Sequence, residues 1–391
     1  NRRELRHSMD TPHIWELDCR TMRWVTAPLS RRELLGRGAG AIAGATLLGT
    51  LLGCGGSDRA STTGGGGGRP GDGKTIALSL NGFNTYDQNQ AEGVLKALDG
   101  TGYKLIGAEA GFDASREVAN IQQLIARQPD GLIVLAASAE GAARACREAK
   151  QLGIPVVTNL WFPISPEVDS VYYAATQVEG DVSGRLVVDF LTKDAGVTEG
   201  KILEITGLDA QPLTESYKQG IRKALAPHPG LEVVASQQGL YTADGALKAL
   251  RPMLAAHPDA RVIIDYAAEM GVAIAQELER QGREDIVHIT SDGNDRMIPW
   301  LKKRNGAYLA ADRWFSPAAE GIAGVNILRA KLERDEAPTE ENIGLEGWRV
   351  VPGTKDPVVV STRQAIATGK NIDELPPMSA PEYASKIPFG A

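Results

Sequence analysis

From Thr75 onward, short apolar runs alternate with longer stretches whose apolar positions recur every three or four residues. Thr75 to Leu80 (TIALSL) is a continuous apolar run bounded by a turn signal, which predicts a buried strand. Asn81 to Thr85 is a loop by composition. Beyond it, Ala91, Val94, Leu95 and Leu98 keep helical spacing until Gly100 and Gly102 stop the helix. The same reading predicts strands over 103–108, 131–136 and 154–158, with helices over 114–127 and 139–152. A second series follows, with helices over 179–194, 215–225, 243–256, 269–281 and 295–304. Its strands fall over 201–206, 231–236, 261–265 and 286–290, before a last strand at 307–311 and a long helix at 317–333.

Strands alternating with helices of 10–15 residues predict an α/β chain of parallel sheets covered on both faces. Two such series exceed one compact core, so the pattern predicts two lobes that divide near Tyr173 to Gln177. The expected organisation is a first lobe of 74–174 plus 313–343 and a second lobe of 175–312 plus 344–351. The Pro-rich, polar segment 352–391 reads as a surface wrap or a partly disordered end. Ligands of open parallel sheets bind outside the carboxyl ends of the strands. The loop 81–87 lies there and carries an amide (Asn84), an aromatic (Tyr86) and an acid (Asp87), although such a loop can also be a plain connection.

Ahead of this body, residues 22–53 read as a targeting segment, with a basic start and an apolar Gly/Ala-rich stretch. Arg31-Arg32 followed by Glu33-Leu34-Leu35 resembles a twin-arginine export signal, and Leu51-Leu52-Gly53-Cys54 resembles a lipobox. Cys54 is therefore the candidate lipidation site, which implies a lipid-anchored protein of the cell envelope. The stretch is short for a transmembrane anchor and is interrupted by glycines. Residues 1–21 have no place in such a signal and are expected to be an upstream extension before an initiator at Met22. Residues 54–73 are a Gly/Ser/Thr tether with too little apolar content to pack.

Composition narrows the function. A net charge of −7 over 391 residues gives no reason to expect nucleic acid as a partner. Five histidines, none grouped with the three cysteines, argue against a metal site, and no cofactor motif is present. The glycine run 64–68 has no strand before it and no helix after it, so it is linker rather than phosphate cradle. Gly-x-Ser-x-Gly and His-Glu-x-x-His are absent, and no nucleophile–base pair stands out, so the chain is not expected to be an enzyme.

The segments IALSLNGFNTYDQNQAEGVLKAL, REVANIQQLIARQPDGLIVLAAS, IPVVTNL, ESYKQGIRKAL and VHITSDGND resemble the ribose-binding-protein family of bacterial periplasmic solute-binding proteins, over about residues 74–351. The resemblance implies two Rossmann-like lobes joined by three hinge strands, a sugar or polyol enclosed between them, and delivery to an ABC importer. By position it implies a first-loop amide at Asn84 and an aromatic at Tyr86, with Asp87 beside it. It further implies contacts at Asn159 and Trp161 after the IPVVT strand, at Tyr241, at Asp292, and near Asp312-Arg313-Trp314. Several of the family's charged positions are replaced. Its Asp-Arg pair reads Asn159-Leu160, its second-lobe arginine falls at about Glu215, and its Asn-Asp pair reads Ala267-Ala268 ahead of Glu269. Loss of those forked groups argues against a ribose pocket of the usual kind. Trp161 and Trp314 either stack on a ring or pack between the lobes, and Glu215 is either a contact or a helix-start acid. A receptor for a membrane sensor kinase or chemotaxis system would have the same body. A sugar-responsive transcription regulator would carry a helix-turn-helix where this chain has a leader and tether.

Overall fold

The structure, a computed structural model, describes residues 14–18, 23–24, 71–159, 171–174, 179–209, 211–303, 309–311, 316–346, 348–351, 358–361, 366–375 and 378. In chain order the strands are β1 (Trp15–Asp18), β2 (Arg23–Trp24), β3 (Thr75–Leu80), β4 (Lys104–Glu109), β5 (Gly131–Leu135), β6 (Val156–Asn159) and β7 (Val171–Ala174). They continue as β8 (Gly200–Thr206), β9 (Leu231–Gln238), β10 (Val262–Asp265), β11 (Val287–Thr290), β12 (Leu309–Ala311), β13 (Trp348–Val351) and β14 (Val358–Ser361). The helices are α1 (Thr85–Leu98), α2 (Ala114–Ala126), α3 (Ala139–Gln151), α4 (Glu179–Asp189), α5 (Pro212–Leu225) and α6 (Ala243–Ala256). After these come α7 (Ala268–Arg280), α8 (Ile298–Lys302), α9 (Pro317–Arg334) and α10 (Glu340–Ile343).

Two sheets result, one per lobe. The first has the order β13-β14-β7-β6-β5-β3-β4-β1-β2, and the second β12-β11-β10-β8-β9. The second sheet is parallel throughout, and the first is parallel from β14 to β4. Central strands such as Ile76–Leu80 and Leu132–Leu135 are buried along their whole length, because helices cover both faces.

Each lobe pins one helix pair by backbone contact. A Cβ on Gly93 of α1 would stand 1.9 Å from the Ala318 carbonyl of α9, and one on Gly321 would stand 2.2 Å from the Gln90 carbonyl. In the second lobe Gly184 of α4 meets Gly220 of α5 in the same way, at 2.2 Å from its carbonyl. Only residues without a side chain allow axes this close. The α1–α9 contact fixes the helix that begins at the mouth of β3.

Three differences from the sequence expectation concern the chain ends. Residues 15–18, set aside as an upstream extension, add an antiparallel strand to the outer edge of β4. Leu17 is fully buried there, Glu16 lies 3.7 Å from Lys104 and 3.9 Å from Arg127, and the Trp15 ring fills the space over Gly107. The alternation Ile14-Trp15-Glu16-Leu17 suits an edge strand, since it covers an apolar face and turns a charge outward. Segment 348–351, expected in the second lobe, is β13 of the first sheet, where it pairs antiparallel with β14.

The segment 352–391 is more than a surface wrap. Its strand β14 enters the first sheet parallel to β7, Ala367 then bridges Ala311 at the edge of the second sheet, and Ile372 and Met378 are buried with Ala268, Met297 and Leu301. The chain therefore passes between lobes between Ala174 and Glu179, between Ala311 and Ser316, and between Ser361 and Ile366 rather than near Gly344. The twin-arginine pair Arg31-Arg32, Cys54 and most of the tether lie outside the described residues.

One buried carboxylate ties α2 to the loop before α3. Glu117 is fully buried and accepts from Ala137 N (2.5 Å), Ser138 N (3.0 Å) and Ser138 Oγ (3.2 Å). Burial pushes its carboxyl up to about 7, against the pull of these donors. Glu117→Gln turns an NH2 toward donors that need an acceptor, so urea unfolding should show a loss of about 1–3 kcal/mol. An unchanged midpoint would mean that the loop does not depend on this carboxylate.

Candidate functional site

Between the lobes lies a cavity of about 570 Å³, counted to its open mouth. Its lining comes from the turns that follow strand carboxyl ends in both sheets. The first lobe contributes Asn81, Asn84, Tyr86 and Asp87 after β3, and Phe112 after β4. Facing them are Gln211 and Leu213 after β8, Tyr241 after β9, Tyr266 to Glu269 after β10, and Asp292 to Asn294 after β11.

The start of α1 is held by a reciprocal cap. Asn84 Oδ1 accepts from Asp87 N at 3.1 Å, and Asp87 Oδ2 accepts from Asn84 N at 3.1 Å. This leaves Asp87 Oδ1 buried with no hydrogen-bond partner, on a residue only 1% exposed. Burial, with a smaller contribution from Glu109, pushes the Asp87 carboxyl up to about 7, and the backbone bond from Asn84 opposes the shift. Tyr86 lays its ring along the cavity, while its hydroxyl donates to Glu320, which also accepts from Gln90 Nε2 at 2.9 Å. The α1–α9 contact thus orients the aromatic.

In the second lobe the rings are held from behind. Tyr241 sits at φ 56° over Gly207, and its hydroxyl is 3.1 Å from Thr214 Oγ1. A left-handed backbone is unusual for a tyrosine and sets the ring toward the cleft, where its centroid is 6.3 Å from that of Phe112 in the other lobe. Tyr266 donates to buried Glu204 at 2.7 Å, and Glu204 is gripped by both terminal nitrogens of Arg222 at 2.9 and 2.8 Å. Burial alone would raise the Glu204 carboxyl, but the bonds from Arg222, Ser236 and Tyr266 hold it below the usual value. That acid is therefore a fixed anion behind the cavity wall.

Asp292 has φ 60°, a conformation Asp tolerates better than most residues. Asn294 beside it is 2% exposed, and neither its Oδ1 nor its Nδ2 has a partner. The lobes also touch at the mouth. Thr85 donates to Glu269 through both its hydroxyl and its backbone N, the latter at 3.2 Å, and Arg296 stands 3.4 Å from the same carboxylate.

Five of the residues proposed from sequence meet here: Asn84, Tyr86, Asp87, Tyr241 and Asp292. Two do not. Glu215 is exposed and accepts from Gln219 at 2.7 Å, because it lies on the helix face opposite buried Leu213 and Tyr217. Asn159 ends β6 fully buried beneath α9, with its amide against Gly324, and is not part of the lining. Trp161, Asp312, Arg313 and Trp314 lie outside the described residues. Sequence reasoning passed over Asn81, Phe112, Gln211, Tyr266, Glu269 and Asn294 as lining residues. All but Asn294 fall within three residues of a strand end or open a helix just after one, which is the positional signal that marks them.

Residues 76–336 match the family described as periplasmic binding protein domain. The ribose import binding protein of Escherichia coli K12 is 28% identical over 274 residues, 70% of this chain and 89% of that protein. The xylitol-binding protein of Mycolicibacterium smegmatis is 23% identical over 308 residues, 78% of this chain and 82% of that protein. Among solved structures, an ABC transporter solute-binding protein from Burkholderia graminis in complex with D-arabinose superposes with a TM-score of 0.65 at 19% identity, over 77% of this chain and 97% of that one. One from Bacillus halodurans with bound myo-inositol gives 0.64 at 17% identity, over 81% and 99%.

The Asp87 carboxyl makes stability depend on pH. Its folded-state pKa of about 7 lies above the unfolded value, so its contribution is complete below about pH 4 and is lost as the pH climbs to about 7. At about 1.4 kcal/mol per unit, the loss is at most ~4 kcal/mol. Asp87→Asn keeps an acceptor for the cap and removes the titration. The difference between urea midpoints at pH 5 and pH 8 should therefore be smaller for the variant than for the parent, the remainder belonging to Glu117, whose carboxyl is also held up at about 7. Parallel pH profiles for the two proteins would show that this carboxyl is hydrated and ordinary.

Proposed function

The chain belongs to the periplasmic binding protein family, and on that premise we propose that it captures a small polyhydroxylated ligand, a sugar or polyol, between its lobes for delivery to an ABC importer. The observation that carries this reading is the cavity itself. Aromatic faces from both lobes flank amide and carboxyl groups whose buried atoms Asn81 Oδ1, Asp87 Oδ1 and both ends of Asn294 have no partner within the protein. Buried polar atoms left unpaired cost stability, and hydroxyl groups can both donate to and accept from such a set. Aromatic rings meanwhile offer flat apolar surface to the C–H face of a ring or chain. Relatives and structural neighbours that bind ribose, xylitol, D-arabinose and myo-inositol support the same class of ligand.

Because the lining is split between lobes, a ligand makes its full set of contacts only when the cleft is closed. Binding thus shifts the population toward the closed form, whose outer surface a membrane partner can read. No step needs a nucleophile, a metal or a cofactor, and the reading is of a receptor rather than an enzyme.

Export and anchoring belong to the same proposal. The twin-arginine pair Arg31-Arg32 and the Leu51-Leu52-Gly53-Cys54 motif support a lipid on Cys54 at the cell envelope. Processing ahead of Cys54 would also remove β1 and open the β4 edge that it covers. Intact mass of membrane-extracted protein should show a mature chain that starts at lipidated Cys54. A mass that retains residues 15–18 would instead make β1 a permanent part of the body and exclude cleavage there.

Ligand capture is tested by thermal shift of the full chain against a panel of sugars and polyols. A ligand at a hundred times its Kd adds about 2.7 kcal/mol, which is readily seen as a rise in Tm. Asp292→Asn tolerates the same backbone conformation and should fold, yet weaken the bound member about tenfold or more, the contribution of a charged hydrogen bond. No shift across the panel would sink the sugar or polyol reading. An unaltered affinity in the variant would remove Asp292 from the site.

A further inference from the structure

The cavity's charge balance says more about the ligand than its size does. Among the described lining residues are three carboxylates, Asp87, Glu269 and Asp292, and no lysine or arginine. Glu269 is accounted for by Thr85 and Arg296 at the mouth. Asp87 is not: its Oδ2 is committed to the Asn84 cap, which prevents the carboxyl from swinging away, while Oδ1 is buried and unpartnered. The other charge that acts on it, Glu109, is also negative. Four rings, Tyr86, Phe112, Tyr241 and Tyr266, complete the wall. Aromatic faces attract cations and carboxylates pair with them, so an acidic cavity walled by rings favours a positively charged guest over a neutral one. Among the described lining residues, an anionic guest such as a sugar phosphate or sugar acid would meet only like charge.

Building on the proposed polyhydroxylated ligand, we propose that it also carries a basic nitrogen, as an amino sugar or amino polyol does, and that Asp87 Oδ1 receives its ammonium. An ammonium with hydroxyl neighbours gives this carboxylate a counter-charge and a donor in one contact, while Asn81 and Asn294 take the hydroxyls. Because burial holds Asp87 up at about 7, a cationic guest would also draw it into the ionised form, whereas a neutral guest would leave it shared between forms near neutrality.

The test is calorimetry on the full chain in phosphate buffer, free of amine buffers, with matched pairs. These are serinol against glycerol, 1-amino-1-deoxysorbitol against sorbitol, glucosamine against glucose, and galactosamine against galactose. The amine should bind at least tenfold tighter than its neutral counterpart in the pairs that bind, and Asp87→Asn should bring that ratio close to one. Neutral members that bind as tightly as the amines, or more tightly, would overturn the charge assignment and leave the polyol reading standing. An amine preference that survives Asp87→Asn would overturn the role given to Asp87. Binding by neither class would overturn both readings together. The parent's ratio alone decides the charge, and the variant decides the residue.

Discussion

Parallel strands impose one constraint from which the rest of this molecule follows: all of them end at the same edge. Eleven of the described strands, six in the first sheet and five in the second, run this way. Helices cover the faces, so the sheets must be apolar, and the polar groups the chain needs collect in the turns beyond the carboxyl ends. Two such edges set against each other make a cleft with polar turns on both walls. The close crossings at Gly93 with Gly321 and at Gly184 with Gly220 then hold α1 and α5 against their own lobes, so the turns that open those helices are presented by rigid supports.

The two lobes hold their site residues in different ways. In the second lobe the carboxylate behind the wall, Glu204, receives a forked guanidinium, a serine and the Tyr266 hydroxyl, so its charge is spent inside the protein. In the first lobe Asp87 has one oxygen in a helix cap and the other with no partner at all. The contrast separates an anion fully engaged within the protein from one with an oxygen left unengaged. A buried carboxylate with every lone pair engaged holds a ring in place, and one with a bare oxygen beside a cavity has interaction energy left for a guest.

Much of this was legible in the sequence because it rests on local periodicity. Strand and helix alternation from Thr75 onward depends on residues a few positions apart, and the first-loop lining residues Asn84, Tyr86 and Asp87 follow directly from the first strand–helix unit. What was not legible depends on register and on distant partners. Glu215 looked suitable by position, yet the helical phase that buries Leu213 and Tyr217 turns it to solvent. Phe112 and Tyr241 come together across the cleft from different lobes, and nothing within either loop announces that pairing. The route of 352–391 was hidden for a similar reason. A four-residue strand and a few buried side chains, Ala367, Ile372 and Met378, gain meaning only when the sheet edge and the second core already exist. Residues 15–18 show the same limit, since Ile14-Trp15-Glu16-Leu17 has strand alternation but the edge it covers lies about ninety residues later.

Asp87 joins these strands of argument, because the same carboxyl caps α1 and faces the cavity. A cap favours the ionised form through its bond from the Asn84 amide, and burial favours the neutral one. A protein selected only for stability would resolve the conflict by moving a lysine or arginine nearby or by replacing the acid with asparagine or serine, both adequate caps. Instead the described lining has neither, Glu109 adds to the negative potential, and the α1–α9 glycine contact holds the helix start in place. Strain of this kind persists in folded proteins where a binding partner relieves it, and it concentrates at sites of function. The unresolved charge is therefore the physical reason to place the ligand's most selective contact at Asp87 rather than at the better-satisfied acids around it.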